Sequence, residues 1–167
     1  MEEMRVYITN LGKYNEGELI GEWFIPPIDF EEVKERIGLN NEYEEYAIHD
    51  WELPFEISEY TSIEEINRLC SMAEELASMD MGEAISDIQN AFFSSFQELY
   101  EHKDDIIYYP ECNDMTDVAY HLINECGTLG EIPTSIQNYI DYEAYGRDLE
   151  ISGSFVITNH GVFEYIN

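Results

Sequence analysis

The spacing of apolar and polar positions predicts a chain of short strands and helices. In residues 1–60, the β-branched and aromatic run 5–9 predicts a strand, residues 18–25 predict its partner, and residues 46–51 predict a third strand. Residues 10–17 contain two glycines and two asparagines, which favour a loop between the first two strands.

A short helix is predicted between the second and third strands. Asp29 followed by Glu32 is typical of a capping box, in which both side chains bond backbone N–H groups at the helix start. Val33 and Ile37 supply its apolar face, and Gly38 can end it in the left-handed conformation. Residues 1–60 therefore predict a β-β-α-β unit.

Residues 61–103 predict a central unit of two or three helices. Ser62 with Glu65, and Asp80 with Glu83, are typical of helix starts. Apolar residues then recur at helical spacing, namely Ile63, Ile66, Leu69, Cys70, Ala73, Ala84, Ile85, Ile88, Phe92, Phe96 and Leu99.

Residues 104–167 predict strands mixed with helices. The run 106–109 predicts a strand, Asp114 with Asp117 predicts a helix that Gly127 ends, and Pro133 predicts the first turn of a further helix.

The end of the chain predicts a β-hairpin. Residues 155–158 and 162–165 have strand composition, and the turn 159–161 between them tolerates positive φ. The whole pattern predicts an α+β fold of three small units in a row: residues 1–60, 61–103 and 104–167.

Charge changes this picture most. The 167 residues include 37 Asp and Glu against 7 Lys and Arg, a formal net charge of -30. Binding to nucleic acid or to an anionic membrane needs clustered Lys and Arg, so we expect neither and expect a basic protein partner. Hydrophobic residues at 44% and aromatic residues at 14% favour a folded chain over a disordered one.

The charge is spread along the chain. Residues 1–60, 61–103 and 104–167 hold 16, 9 and 12 acidic residues against 4, 2 and 1 basic ones. Within these segments carboxylates recur at short intervals, and we take as candidate binding residues Glu16, Glu18, Glu22, Asp29, Glu32, Glu35, Glu42, Glu44, Glu45, Glu98, Glu101, Asp105, Asp114, Asp117, Asp141, Glu143, Asp148 and Glu150.

Their spacing suggests a mimic of DNA. Residues four apart on a helix rise about 6 Å, and residues two apart on a strand rise about 6.8 Å. Two phosphate steps along one DNA strand also rise about 6.8 Å, and about 30 charges correspond to roughly 15 base pairs as an upper bound. Folding against this self-repulsion costs stability, so we expect the charge to serve a function.

The acidic composition has other interpretations. A halophilic surface is also acidic and poor in lysine. The chain is alternatively a general acidic decoy for another basic DNA-binding protein, or a cation-dependent hydrolase that uses a carboxylate cluster. Common nucleotide and hydrolase signatures are absent from the sequence, and with 37 acids any carboxylate pair is expected by chance. We therefore predict a protein that is not an enzyme and needs no cofactor.

Metal binding is disfavoured. Residues 113–117 lack the glycine and terminal Glu of a calcium loop. His49 with Asp50, and Cys112, His121 and Cys126, lack the spacing of a complete metal site. Imidazole can act as an acid or base near neutral pH, and the hairpin position of His160 favours a structural role in the turn.

The cellular compartment is predicted from the absence of targeting and disulfide patterns in the sequence. The three cysteines form no C-x-x-C pair, no run of eighteen apolar residues occurs, and the first residues lack a signal-peptide pattern. We expect a cytoplasmic protein with reduced thiols.

Several stretches together resemble one family. They are Tyr-Ile-Thr-Asn-Leu-Gly-Lys-Tyr-Asn-Glu-Gly at 7–17, Phe-Glu-Glu-Val-Lys at 30–34, Glu-Glu-Tyr-Ala-Ile-His-Asp at 44–50, Leu-Gly-Glu-Ile-Pro at 129–133, Asn-Tyr-Ile-Asp at 138–141, Tyr-Gly-Arg-Asp-Leu at 145–149 and Thr-Asn-His-Gly at 158–161. The chain resembles the ArdA antirestriction proteins of conjugative plasmids and transposons over nearly its whole length. The middle, residues 71–102, carries the resemblance least.

The resemblance implies a non-catalytic mimic of bent B-form DNA. Such a protein occupies the DNA groove formed by the specificity and modification subunits of type I restriction-modification enzymes, blocking restriction and often modification. It also implies an elongated body of three small domains that forms a homodimer through its C-terminal part.

The charge pattern places the dimer contact in residues 126–140. One acid, Glu131, lies there among apolar residues, and like-charged faces repel each other elsewhere. We expect the contact at Leu129, Ile132, Ile136, Tyr139 and Ile140. Two copies end to end would also cover more DNA length than one.

Overall fold

The computed structural model describes residues 3–167. The chain forms two compact units, Met1–Ser78 and Met79–Asn167, and each combines helices with a three-stranded antiparallel sheet. The predicted α+β class is confirmed. The predicted division into three domains, with boundaries after residues 60 and 103, stays a prediction.

From residue 3 onward, the first unit has three strands and three helices. In chain order they are β1 (Arg5–Asn10), α1 (Leu11–Asn15), β2 (Gly21–Phe24), α2 (Phe30–Ile37), β3 (Tyr46–Glu52) and α3 (Ile63–Ser78). The sheet order is β2-β1-β3, and the register against β3 shifts between Tyr7 and Ile8. The sheet and helix α2 both supply fully buried side chains: Val6 and Ile8 from β1, and Val33 and Ile37 from α2.

Side-chain hydrogen bonds fix α3 in this unit. The amide of Asn67 accepts from the Ile28 N–H at 2.7 Å and donates to the Ile28 carbonyl at 2.8 Å. The Tyr46 hydroxyl accepts from the Ile63 N–H at 3.1 Å, and Ser62 caps the helix as predicted. These bonds pair backbone groups that the strand and helix ladders leave free.

The second unit has three strands and five helices. They are α4 (Ile85–Phe92), α5 (Phe96–Glu101), β4 (Ile106–Tyr109), α6 (Met115–Tyr120), α7 (Thr134–Gln137), α8 (Tyr142–Ser152), β5 (Phe155–Thr158) and β6 (Gly161–Tyr165). A 3₁₀ turn at Lys103–Asp105 precedes β4, and a π-helical turn at His121–Glu125 continues α6. The strand order is β4-β6-β5, which confirms the hairpin and places the fully buried Val162 and Phe163 on the central strand.

The predicted loop at residues 10–17 is wrong, because a short helix, α1, begins there. The buried Asn10 side chain accepts from the Lys13 N–H at 3.0 Å and donates to the Ile37 carbonyl at 3.1 Å. Asparagine favours helix caps as well as loops, so composition alone did not separate the two. The second strand is also shorter than predicted, since the chain turns at residues 16–18 before β2 begins.

The predicted helix start at Asp80 is wrong as well. Residues 80–84 form turns, and α4 begins at Ile85 without a side-chain cap. The predicted apolar face is divided between two helices. Helix α4 ends at Phe92, Phe93 is extended, and Ser95 then caps α5 by accepting from the Glu98 N–H at 3.1 Å.

The helix predicted from Pro133 is a single turn, and α8 was not predicted. Pro133 precedes the four-residue α7, and Tyr139 lies outside it with 85% of its surface exposed. Asp141 caps α8 by accepting from the Ala144 N–H at 3.0 Å. Gly146 obscured the pattern because glycine disfavours helix interiors.

Close packing requires glycine at position 146. Gly146 is buried in α8 against α6, where an added Cβ would overlap the Met115 carbonyl and contact the Thr116 nitrogen. We predict that Gly146→Ala destabilises the protein by about 1–3 kcal/mol, because two backbones must separate. Urea denaturation checks it against Ile151→Ala, an exposed change on the same helix that should stay within about 0.5 kcal/mol. Equal midpoints for both variants would contradict this packing.

Candidate functional site: the carboxylate surface

The acidic side chains lie at the surface of both units. None of those in residues 3–167 is buried. Removing a carboxylate from water costs several kcal/mol unless it is paired, and this chain has few cations for pairing.

Each of the seven cations is engaged by a neighbour of its own unit. The ion pairs are Arg5 with Glu52, Lys13 with Glu18, Lys34 with Glu31, Arg36 with Glu22 and Glu32, Arg68 with Glu65, and Arg147 with Glu143. The seventh, Lys103, lies 4.2 Å from the centre of the Tyr100 ring. Six of the described cations therefore lie against carboxylates, and most of the acidic side chains have no cation beside them.

Arg5 illustrates how completely a cation is used. Its guanidinium donates to both carboxylate oxygens of Glu52, at 2.7 and 2.8 Å, and lies 4.6 Å from the Trp23 ring centre. The Arg5 hydrogen bond holds the pKa of Glu52 below its usual value. Such bidentate pairs are the stronger surface ion pairs, because their geometry is fixed.

The candidate carboxylates divide into three sets by their partners. Four of them form ion pairs with cations: Glu18, Glu22, Glu32 and Glu143. Neutral donors or a histidine occupy eight: Glu16, Asp29, Glu98, Glu101, Asp105, Asp114, Asp117 and Asp141. Within the described chain, six accept from no other group: Glu35, Glu42, Glu44, Glu45, Asp148 and Glu150.

The first unit gathers carboxylates around Tyr43, and we call Glu16, Glu42, Glu44 and Glu45 the Tyr43 cluster. The Tyr43 hydroxyl donates to Glu16 at 2.9 Å, and this hydrogen bond raises the pKa of Tyr43. A depression of about 300 Å³ is lined by the other three glutamates. The cluster thus joins residues far apart in the chain.

Asn40 and Lys13 hold this cluster in place. The Asn40 side chain accepts from the backbone N–H groups of Glu42 and Tyr43 at 2.8 and 3.0 Å. The Lys13 ammonium lies 4.5 Å from the Tyr43 ring centre. Sequence reasoning missed Tyr43, and its place inside the acidic run 42–45 is the only signal for it.

The second unit gathers carboxylates around the buried Cys112. Burial raises the pKa of this thiol first, and the negative charges of Asp117, Glu125, Asp114 and Glu111 raise it further. Asp114 accepts from the Asp117 N–H at 2.9 Å, so the predicted cap is confirmed. Two of these four acids, Glu111 and Glu125, were not among the candidates.

The candidates on α8 do not share one face. At about 100° per residue, Asp141 and Asp148 fall on one flank of the helix, while Glu143 and Glu150 fall nearly opposite. Gly146 packs between the two flanks against α6. Only one of the two pairs can face a given flat partner.

The predicted dimer residues lie at the surface of the second unit. Leu129, Ile136 and Tyr139 are 55%, 50% and 85% exposed. Ile132 and Ile140 are half-buried. The segment is thus apolar and accessible, and its role stays a prediction.

The histidines considered as chemical groups have structural or ionic neighbours. His49 lies 3.2 Å from the Thr9 hydroxyl and packs edge-on against Tyr14. His160 pairs with Glu83 at 3.0 Å. No group of three or more His, Cys, Asp or Glu in residues 3–167 is arranged to hold a metal ion.

No helix among the described residues is both long enough and apolar enough to cross a membrane. The fold and this surface define an acidic α+β protein that presents carboxylates to solvent while its few cations are occupied internally.

The chain belongs to the ArdA family of antirestriction proteins, because the family model described as "Antirestriction protein (ArdA)" matches residues 6–164. No curated protein matches the chain. Membership implies an antirestriction function and points to restriction-modification enzymes as targets.

One half-buried acid, Glu164, provides a test of the electrostatics. Burial raises its pKa although the Tyr109 hydroxyl donates to it at 3.4 Å. The folded chain therefore holds this proton more tightly than the unfolded chain, and stability is lost as pH rises through the folded pKa.

We predict that Glu164→Gln is more stable than the wild type at pH 7, by about 1–3 °C in Tm. The difference should shrink as the pH falls toward 4, because the wild-type carboxyl is then neutral too. Thermal denaturation at both pH values checks this, with the exposed Glu150→Gln as the matched control. An equal gain in both variants at pH 7 would show that only net charge matters.

Proposed function

We propose that this protein inhibits type I restriction-modification enzymes by occupying their DNA-binding groove in place of DNA. The observation that carries the proposal is the excess of exposed carboxylates: 37 acids outnumber 7 cations, and each cation already contacts a carboxylate or an aromatic ring of its own unit. A groove that binds a polyanion then meets a surface on which negative charge predominates.

The spacing of carboxylates along α8 resembles the spacing of phosphates along a DNA strand. Asp141 caps the start of α8 and Asp148 lies seven residues further along the chain within it, which corresponds to a rise of about 10.5 Å at helical spacing. Three phosphate steps along one DNA strand rise about 10.2 Å. The cap residue and Asp148 are therefore spaced along the helix axis by nearly three phosphate steps.

Inhibition in this proposal needs no chemical step. The protein acts in the cytoplasm on the specificity and modification subunits, and an occupied groove excludes DNA from both restriction and modification. Neither nucleic acid nor a membrane binds the inhibitor itself, since its cations are engaged.

Competition with DNA tests the mechanism. We predict that the protein displaces a duplex carrying the recognition site from a type I modification core, and that its inhibition constant rises steeply with salt because many charges are neutralised at once. Fluorescence anisotropy of labelled duplex at several salt concentrations measures both effects.

Polyglutamate at equal total charge is the control for a general acidic decoy. The proposal requires the folded protein to compete far better than this polymer. Equal potency would favour the decoy without DNA geometry, and inhibition that added duplex does not relieve would contradict groove occupancy.

We also propose a two-fold dimer through the apolar residues of 129–140, with Cys126 left accessible outside the contact. One chain offers at most about 15 base pairs of charge, and Leu129, Ile136 and Tyr139 expose apolar surface where acids are few. A dimer would join two acidic bodies at the point of least repulsion.

Sedimentation equilibrium at micromolar concentration tests the dimer. We predict a wild-type dimer, and a folded monomer for Ile136→Asp, because a buried charge at the contact is costly. Ile151→Asp, also on an exposed apolar residue of the second unit, should leave the dimer intact. A monomeric wild type, or an undiminished dimer in a folded Ile136→Asp variant, would contradict the placement.

A further inference from the structure

The π-helical turn at His121–Glu125 brings three reactive side chains together. The Cys126 N–H bonds the His121 carbonyl, five residues back, at 3.1 Å. In an α-helix, residues five apart point about 140° away from each other. The wider turn instead places Cys126 Sγ 3.4 Å from Nε2 of His121. Such π-helical insertions frequently mark functional sites.

Glu125 determines which nitrogen of the imidazole carries the proton. Its carboxylate contacts His121 Nδ1, and an ionised carboxylate can only accept a hydrogen bond. Nδ1 therefore carries the proton and donates to Glu125. In the neutral imidazole this leaves Nε2, 3.4 Å from the Cys126 sulfur, able to accept from the thiol.

The surroundings hold this arrangement in place. The His121 ring packs edge-on against the buried Tyr109, with ring centres 5.7 Å apart. Thr128 closes the turn, because its backbone N–H and its hydroxyl both donate to the Leu122 carbonyl, at 3.1 and 3.0 Å. Gly127 adopts a φ of 64° next to the thiol, a conformation that other residues disfavour.

Exposure separates Cys126 from the other two cysteines. Cys70 and Cys112 are buried, with 2% and 5% of their surface accessible, and burial raises the pKa of the Cys70 thiol to about 12. Cys126 is exposed and borders a depression of about 460 Å³. One of three thiols therefore combines access with a base.

We propose that Cys126 is a site of mixed-disulfide formation with small disulfides, in which His121 accepts the thiol proton and Glu125 is a positioning residue. A nucleophile in contact with a base that a third group orients is the usual arrangement for an activated thiol.

The reaction is an exchange between a thiol and a disulfide. The Cys126 thiol transfers its proton to His121 Nε2, and the sulfur attacks one sulfur of a small disulfide. A new S–S bond forms as the old one breaks, and the leaving thiolate takes the proton from His121. The small disulfide is the oxidant, and its other half leaves as a thiol.

The acidic surface selects which disulfides react. Glu125 and Glu131 border the same depression, and Glu111, Asp114 and Asp117 lie around the neighbouring Cys112. This field attracts cations and repels anions. Cystamine, a dication, should therefore react faster than glutathione disulfide, an anion, and the difference should fall as salt rises.

Mass spectrometry of the folded protein tests the site. With cystamine at pH 7, a single adduct is expected at Cys126, and none in Cys126→Ser while Cys70 and Cys112 remain. We expect His121→Gln to slow the reaction by about tenfold or more, a modest value for a positioned base. The ratio of wild-type to variant rates should shrink toward pH 9, since a free thiol with a pKa of about 8.5 then ionises unaided.

Two further variants separate activation from folding. His160→Gln removes a different exposed imidazole and should leave the rate unchanged. Glu125→Gln should reduce the rate at pH 7 less than His121→Gln, with the same loss of effect toward pH 9. Equal rates for wild type and folded His121→Gln, or first reaction at Cys70 or Cys112, would overturn the proposal.

Discussion

Self-repulsion among carboxylates is the constraint on which the rest of this structure depends. A net charge of -30 on 167 residues must be held in two small units without burying one described acidic side chain. The few cations make local contacts. Each lies against a carboxylate or an aromatic ring of its own unit, and four contact both. These contacts anchor the units and leave the surface anionic.

Some of the carboxylates also stabilise the helices. Asp29, Asp114 and Asp141 cap helices, where the backbone N–H groups favour negative charge. Capping aspartates therefore stabilise the elements that carry the other acids. A surface designed only for solubility would intersperse Lys and Arg among these positions, whereas here the polar positions are filled with acids and the helices still form.

The sequence was informative wherever a single local interaction decides the structure. Val6 and Ile8 alternate as a half-buried strand requires, Gly38 ends α2 at a φ of 72°, and Ser62 caps α3. Prediction from the sequence failed where contacts with distant residues determine the local structure. Asn10 caps α1 because Ile37 holds its amide, and Gly146 is tolerated in α8 because α6 approaches closely.

The site was predictable in composition and not in arrangement. Regular spacing identified acidic stretches, yet it could not show that Tyr43 joins Glu16 to the run 42–45, or that α8 sends its four acids to two flanks. The π-helical turn at His121–Glu125 could not be predicted from the spacing of residues either. Its wider hydrogen bonding leaves no signature in the apolar pattern, so the meeting of His121 and Cys126 appears only in three dimensions.

The most direct test of the central claim is the plating efficiency of unmodified phage on cells that carry a type I system. Cells would express the wild type or variants in which one, three or all six of the unpaired carboxylates Glu35, Glu42, Glu44, Glu45, Asp148 and Glu150 are changed to Gln or Asn. Distributed electrostatic mimicry predicts that one change costs less than about 1 kcal/mol of binding, so plating falls little at first and then progressively. Complete loss of protection from a single substitution in a folded, normally expressed protein would contradict the account.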